Sequence, residues 1–195
     1  MQKIIKNLCF MDDDLFKSKY RIPSARAYWH DYNRGYYFIT ICTYKREHYF
    51  GEISNNNMIL TEIGLQASIL LDKISMIYNG VSIPSYIIMP NHIHLIISII
   101  KNKNIHNHDK IINNNNINEK MSDIAKKRGR LSLIISKFKT SLTRYAIKND
   151  IPFAWQERFY DRIIRNQNEF INVDNYIKNN ISNWRDDEYY SSNHP

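Results

Sequence analysis

The chain has 195 residues, 43% of them hydrophobic and 24% charged, which suits one domain with a substantial core. No run of about 18 apolar residues occurs, which excludes an apolar membrane-spanning helix. "MQKIIKNLCF" is too short in its apolar part, and too soon followed by "MDDDLF", to read as a signal peptide. Cys9 and Cys42 make no disulfide framework and no CxxC, so a cytoplasmic protein is expected. The net charge of +8, with 14 tyrosines and 3 tryptophans, fits a polyanionic partner as well as it fits a solvated basic surface.

The first strand is "YYFITICTY", Tyr36 to Tyr44. "SNNN" and then "MIL" at Met58 to Leu60 predict a hairpin or short strand. In "TEIGLQASILLDKISMIYNG", Ile63, Ala67, Leu70, Leu71 and Ile74 recur at helical spacing, with Thr61 as N-cap and Gly80 beyond the end. "VSIPSYIIMP" and "NHIHLIISII" predict two strands joined closely enough to pair antiparallel. Residues 101 to about 128 are Asn-rich and aperiodic, and read as a flexible insertion. "LSLIISKFKTSLTRYAIKN" resumes a helix with Leu131, Ile134, Ile135, Phe138, Leu142 and Ala146 on its apolar face. Phe153 to Arg165 reads as a strand, Gln167 to Trp184 as a last helix, and the tail after Asp187 as frayed. The order strand, helix, strand, strand, helix, strand, helix predicts an α+β fold. It is ferredoxin-like, an antiparallel sheet with helices packed on it, and residues 1–195 form a single domain.

His92 and His94 stand two apart in the fourth of these strands, so they share a face with Ile96 and Ser98. Ile93, Leu95 and Ile97 share the other, which is the face expected under helices. At about 7 Å between Cα atoms the two imidazoles can converge on one divalent ion, or can simply hydrogen-bond to neighbours. His106 and His108 repeat the spacing inside the Asn-rich stretch, where no strand would hold them. Tyr176 and Asn180 are spaced i, i+4 on the last helix. A metal on His92, His94 and the Asn180 amide oxygen could polarise a phosphate for attack by Tyr176. Tyr176 reads equally well as one more tyrosine at a helix surface.

"MPNHIHLII" resembles the His-hydrophobic-His strand of the single-tyrosine transposases of the HUH endonuclease superfamily. "YYFITICTYKREHYFGEI", "WQERFYDRIIRNQNEF" and "YIKNNISNW" are similar, in the same order, to further segments of its REP-associated tyrosine transposase branch. The resemblance implies a protein that cuts and rejoins single-stranded DNA beside an imperfect hairpin, through a 5′-phosphotyrosine and without ATP. It implies Mg²⁺ or Mn²⁺ on His92, His94 and Asn180, Tyr176 as nucleophile, and a nucleoid-associated monomer or homodimer. Two departures stand out. Ile181 follows Asn180 where the family commonly has proline, which should let the helix continue. Arg162 follows "YD" where the family often has histidine; it can hold a phosphate but not a metal.

Candidate DNA contacts are Tyr44, Lys45 and Arg46, then Lys126, Lys127, Arg128 and Arg130, and Arg158, Arg162 and Arg165. Lys137 and Lys139 fit either DNA or a solvated helix face, and Trp155 either a flipped base or the core. The alternatives to a transposase are a non-catalytic nucleic-acid-binding module on the same fold and a metal hydrolase without a covalent step. Retention of His92, His94, Tyr176 and Asn180 together favours the enzyme.

Overall fold

The computed structural model describes residues 31–100 and 129–190, and the backbone of a two-rung antiparallel ribbon formed by β1 (Leu15–Phe16) and β2 (Tyr20–Arg21). The Asn-rich segment, with His106, His108, Lys126, Lys127 and Arg128, lies outside the described residues.

The central sheet has four antiparallel strands: β3 (Gly35–Cys42), β6 (Val81–Ile88), β7 (His92–Ile99) and β8 (Tyr160–Ile164). Their spatial order is β6-β7-β3-β8, so β7 and β3 are central and β6 and β8 are edges. This is the expected α+β, ferredoxin-like arrangement, with helices α1 (Glu62–Ile77) and α2 (Arg130–Lys148) in the two crossovers. Pro84 is tolerated because β6 is an edge strand and its register slips between Ser82 and Ser85. Outside the sheet, β4 (Gly51–Ser54) and β5 (Asn57–Leu60) form a hairpin, turning at Asn55 and Asn56 with φ of 51° and 57°.

Alternation along the strands makes two different faces. Tyr37, Ile39 and Ile41 of β3 lie with Ile93, Leu95 and Ile97 of β7 in the main core, under α1 and α2. α2 buries the six residues its spacing predicts. α1 starts from Thr61, whose hydroxyl accepts the Gly64 N–H, and buries Ile63, Ala67, Leu71 and Ile74. Gly64 lets this helix lie on the β4 entry: a Cβ there would sit 2.3 Å from the Phe50 carbonyl oxygen.

The opposite face is covered too. Helix α3 (Gln167–Lys178) lays Val173 and Ile177 on Ile96 and Ile164. Trp184 and Tyr189, from the segment after it, pack with Cys42 and Met89. His92 and His94 are therefore fully buried, 0% and 1% exposed, where the sequence suggested a half-open face.

Three boundaries differ from expectation. The helix predicted to reach Trp184 stops at Lys178 even without the family's proline. The chain turns there to send Trp184 and Tyr189 back onto the sheet. The predicted strand from Phe153 shortens to β8, because Phe153 and Trp155 pack against Phe50 and the backbone there makes one isolated bridge, Thr43 with Trp155. The tail expected to fray after Asp187 continues into the core at Tyr189, which is 2% exposed.

Candidate active site

The site sits where the first half of β7 meets the end of α3. β3 and β7 are in register with Thr40 opposite His94 and Cys42 opposite His92. Thr40 Oγ1 lies 2.9 Å from His94 Nδ1, and Asn91 Oδ1 lies 2.9 Å from His92 Nδ1. The Asn91 amide is itself fixed, donating to the Tyr189 carbonyl at 2.8 Å. Asn91 Oδ1 can only accept, so His92 Nδ1 carries the proton and Nε2 keeps a bare lone pair. The Thr40 hydroxyl can hold His94 in the same tautomer. Oriented Nδ1 partners of this kind are what a metal-binding imidazole requires. The two rings stand 4.4 Å apart between centroids.

From α3, Tyr176 brings its hydroxyl 3.3 Å from His94 Nε2 and 3.4 Å from Asp187 Oδ2. Asn180 lies two residues past the helix, in the turn, and donates through Nδ2 to the same Asp187 oxygen at 3.1 Å. The Asn180 oxygen is thereby aimed away from Asp187. Two buried polar atoms in this region have no hydrogen-bond partner among the described residues: His92 Nε2 and Asn180 Oδ1. An unsatisfied buried acceptor costs about 1–3 kcal/mol. Two of them, both belonging to residues singled out as ligands, fit a divalent cation and fit an apolar core poorly.

Burial governs the electrostatics. It pushes the His94 imidazole down to about 3, and pushes His92 well below the usual histidine value, with His94 and Arg46 adding in the same direction. Both rings are neutral at pH 7, as ligands must be. Burial, and then the Asp187 charge, raises the Tyr176 hydroxyl above its usual range and keeps it protonated. Burial also raises the Asp187 carboxyl.

The depressed histidines have a consequence for stability. Their folded-state affinity for protons is lower than in the unfolded chain, so stability is complete above the unfolded value of 6.5 and falls as the pH drops toward about 3 for His94. In the metal-free protein His94 is expected to remove about 1 kcal/mol between pH 7 and 5.5, with His92 adding to it. Urea midpoints in EDTA measure this. His94→Gln should flatten the slope, and an unchanged slope would show that a neutral buried imidazole is not its source.

The structure brings His92, His94, Tyr176 and Asn180 together. It also adds residues that sequence reasoning missed: Thr40, Asn91, Asp187 and Tyr189, whose ring lies 4.4 Å from that of His92. Thr40 was readable from strand alternation once the register was known. Asp187 carries no local signal. The basic candidates divide. Arg46 lies beside the site: it donates to the Glu188 carbonyl at 2.7 Å and stands over the Tyr189 ring. Arg162 lies on the site face of the sheet, opposite Phe38, and reaches Glu169 at 3.9 Å, as does Arg165. Tyr44 and Lys45 are exposed on the turn before Arg46, and Arg158 is half-buried. Arg130 bonds to the carbonyls of Ile100 and Asn79, at the far end of β7 and about 26 Å from His92 at strand rise. Lys139 is tied to the Gln156 and Glu157 carbonyls, and burial lowers its pKa to about 8. Lys137 is exposed beside Tyr78. Trp155 is partly buried against the core and donates its indole N–H to the Lys139 carbonyl, which fits the core alternative.

No protein-family model matches the chain. An uncharacterised protein of Haemophilus influenzae is 33% identical over 161 residues, covering 81% of this chain and 86% of that protein. The chain belongs to the same family as that protein. Among solved structures, a REP-associated tyrosine transposase bound to a REP hairpin is similar at 15% identity. Its TM-score is 0.48, over 84% of this chain and 74% of that one. A Deinococcus radiodurans R1 protein described as a candidate transposase is similar at 13% identity. Its TM-score is 0.35, over 81% of this chain and 97% of that one. Among the described residues, no helix is long and apolar enough to cross a membrane.

Proposed function

We propose that the chain is a REP-associated-type tyrosine transposase, a metal-dependent endonuclease that cuts and rejoins single-stranded DNA beside a hairpin. The observation that carries this reading is the meeting of Tyr176 with two orphaned acceptors, His92 Nε2 and Asn180 Oδ1, at a neutral His94. Four segments of sequence resembling that family, in its order, support it.

His92, His94 and Asn180 would hold Mg²⁺ or Mn²⁺. When bound, the ion supplies Lewis-acid polarisation of a phosphate oxygen. The protein's own residues do the rest. Thr40 and Asn91 hold the imidazoles through Nδ1, which leaves both Nε2 atoms for the ion. Burial and the Asp187 charge keep Tyr176 protonated in the free protein. On attack its oxygen bonds to phosphorus, the bond to the 3′ oxygen breaks, and the hydroxyl proton ends, through solvent, on the departing 3′ oxygen. The free 3′-OH and the 5′-phosphotyrosine retain the bond energy for rejoining. Arg46 and Arg162 are placed to meet the DNA backbone on the site side of the sheet, and Tyr44 and Lys45 extend that edge.

The test is direct. A 5′-labelled and a 3′-labelled single-stranded hairpin oligonucleotide are each incubated with the full chain, with Mn²⁺ or with EDTA. A covalent protein adduct on the 3′-labelled fragment, present with Mn²⁺ and absent with EDTA, is expected. Tight hairpin binding with no adduct under any metal would instead leave a non-catalytic binding module.

A further inference from the structure

We propose that Asp187 is a fourth ligand of the cation site, its one anionic ligand, and that it lets the free protein hold the ion before DNA arrives. The inference rests on the metal-site reading above and adds to it a residue that neither the sequence pattern nor the resemblance supplies. A ligand nitrogen of His92, one of His94 and a carboxylate oxygen of Asp187 all lie within 4.8 Å of one another. Around one ion with bonds of about 2.1 Å ligand atoms lie at most about 4.2 Å apart, so these three groups need only a small inward shift to share an ion. The Asn180 amide closes the same space, with its unpartnered oxygen left over after Nδ2 has gone to Asp187.

Charge is the second argument. His92, His94 and Asn180 are neutral, so by themselves they offset none of a divalent ion's charge at a buried position. Asp187 supplies one negative charge there. Its partners among the described residues are an amide N–H, a phenol O–H and the Tyr189 backbone N–H, all neutral. The Arg46 charge also acts on it, lowering its proton affinity. A half-buried carboxylate beside two bare acceptors, with no cation in hydrogen-bonding contact, is an arrangement that a metal ion completes. A site lacking this anion would need the DNA phosphate to supply the charge, and would bind metal only together with DNA.

The experiment is calorimetric titration of Mn²⁺ into the DNA-free full chain, with the free-ion electron paramagnetic resonance signal as a second readout. The wild type should bind one ion. Asp187→Asn should weaken binding at least about tenfold, because affinity follows ligand charge. Asp187→Glu, which keeps the charge, should bind more tightly than Asp187→Asn. Glu188→Gln, which removes the neighbouring charge, should stay within about twofold of wild type. Thermal melts of the metal-free variants establish that each is folded. Wild-type protein that binds Mn²⁺ only with DNA overturns the proposal. So does Asp187→Asn binding as tightly as wild type while His92→Ala loses the ion, and in that case the metal-site reading survives. His92→Ala binding as tightly as wild type would place the ion elsewhere and remove both.

Discussion

Tyr176→Phe should abolish the covalent adduct with hairpin DNA, a loss on the order of a thousandfold or more, while leaving fold and hairpin affinity close to wild type. The ring is held by packing: it meets Phe38 and His94 at centroid distances of 6.0 and 5.2 Å, and phenylalanine keeps both contacts. The hydroxyl itself makes only long hydrogen bonds, 3.3 Å to His94 and 3.4 Å to Asp187. Its removal therefore costs little stability, yet it takes away the only atom that the proposed reaction attaches to phosphorus. Activity that survived the substitution would reassign the nucleophile. A denaturing gel of labelled oligonucleotide decides between the outcomes, with circular dichroism and a binding titration confirming that the variant is folded. No other tyrosine among those described is held against the histidine pair through a hydroxyl. Tyr189 reaches the same pair through its ring face, at 4.4 Å from His92, with its carbonyl engaged by Asn91.

How much of this was legible beforehand depends on the range of the contacts involved. The buried face of α2, the cap of α1 and the antiparallel pairing of β6 with β7 were all written locally, in 3.6-residue and two-residue periods and in turn residues. Local periodicity also put His92 and His94 on one face. It did not reveal that this face is buried, because the cover comes from α3 and Trp184–Tyr189, more than 70 residues downstream. The i, i+4 spacing of Tyr176 and Asn180 suggested one helix face. The structure instead places Asn180 in a turn, where its amide is oriented by Asp187 rather than by helical geometry. Asp187 was invisible for the same reason. An acidic residue in a polar tail has no pattern of its own, and only the burial of Tyr189 two residues later brings it onto the site. The basic residues depend on tertiary contacts that no local pattern shows. Arg130 and Lys139, considered from the sequence as DNA contacts, donate to backbone carbonyls, as Arg46 does.

Replacing both histidines, His92→Ala with His94→Ala, should remove cleavage while hairpin binding persists. The Lewis-acid contribution that these ligands make possible is worth several kcal/mol, so the cleavage rate should fall on the order of a thousandfold or more. Binding should persist because the groups placed to meet the backbone, Arg46 and Arg162, lie outside the histidine pair. Stability pulls two ways in this variant. Two buried rings that pack against Phe38, Trp184 and Tyr189 are lost, and cavities follow. Against that, the unpartnered His92 Nε2 is removed, and with it a desolvation cost that the metal-free protein bears. His92→Asn alone, a smaller change, keeps the experiment interpretable should the double variant fail to fold. The readouts are the cleavage rate with Mn²⁺ and hairpin affinity by fluorescence anisotropy at two salt concentrations. Affinity that falls with salt in the variant as in the wild type would show the cationic surface to be intact. Cleavage at the wild-type rate would show that the buried imidazoles serve the fold alone.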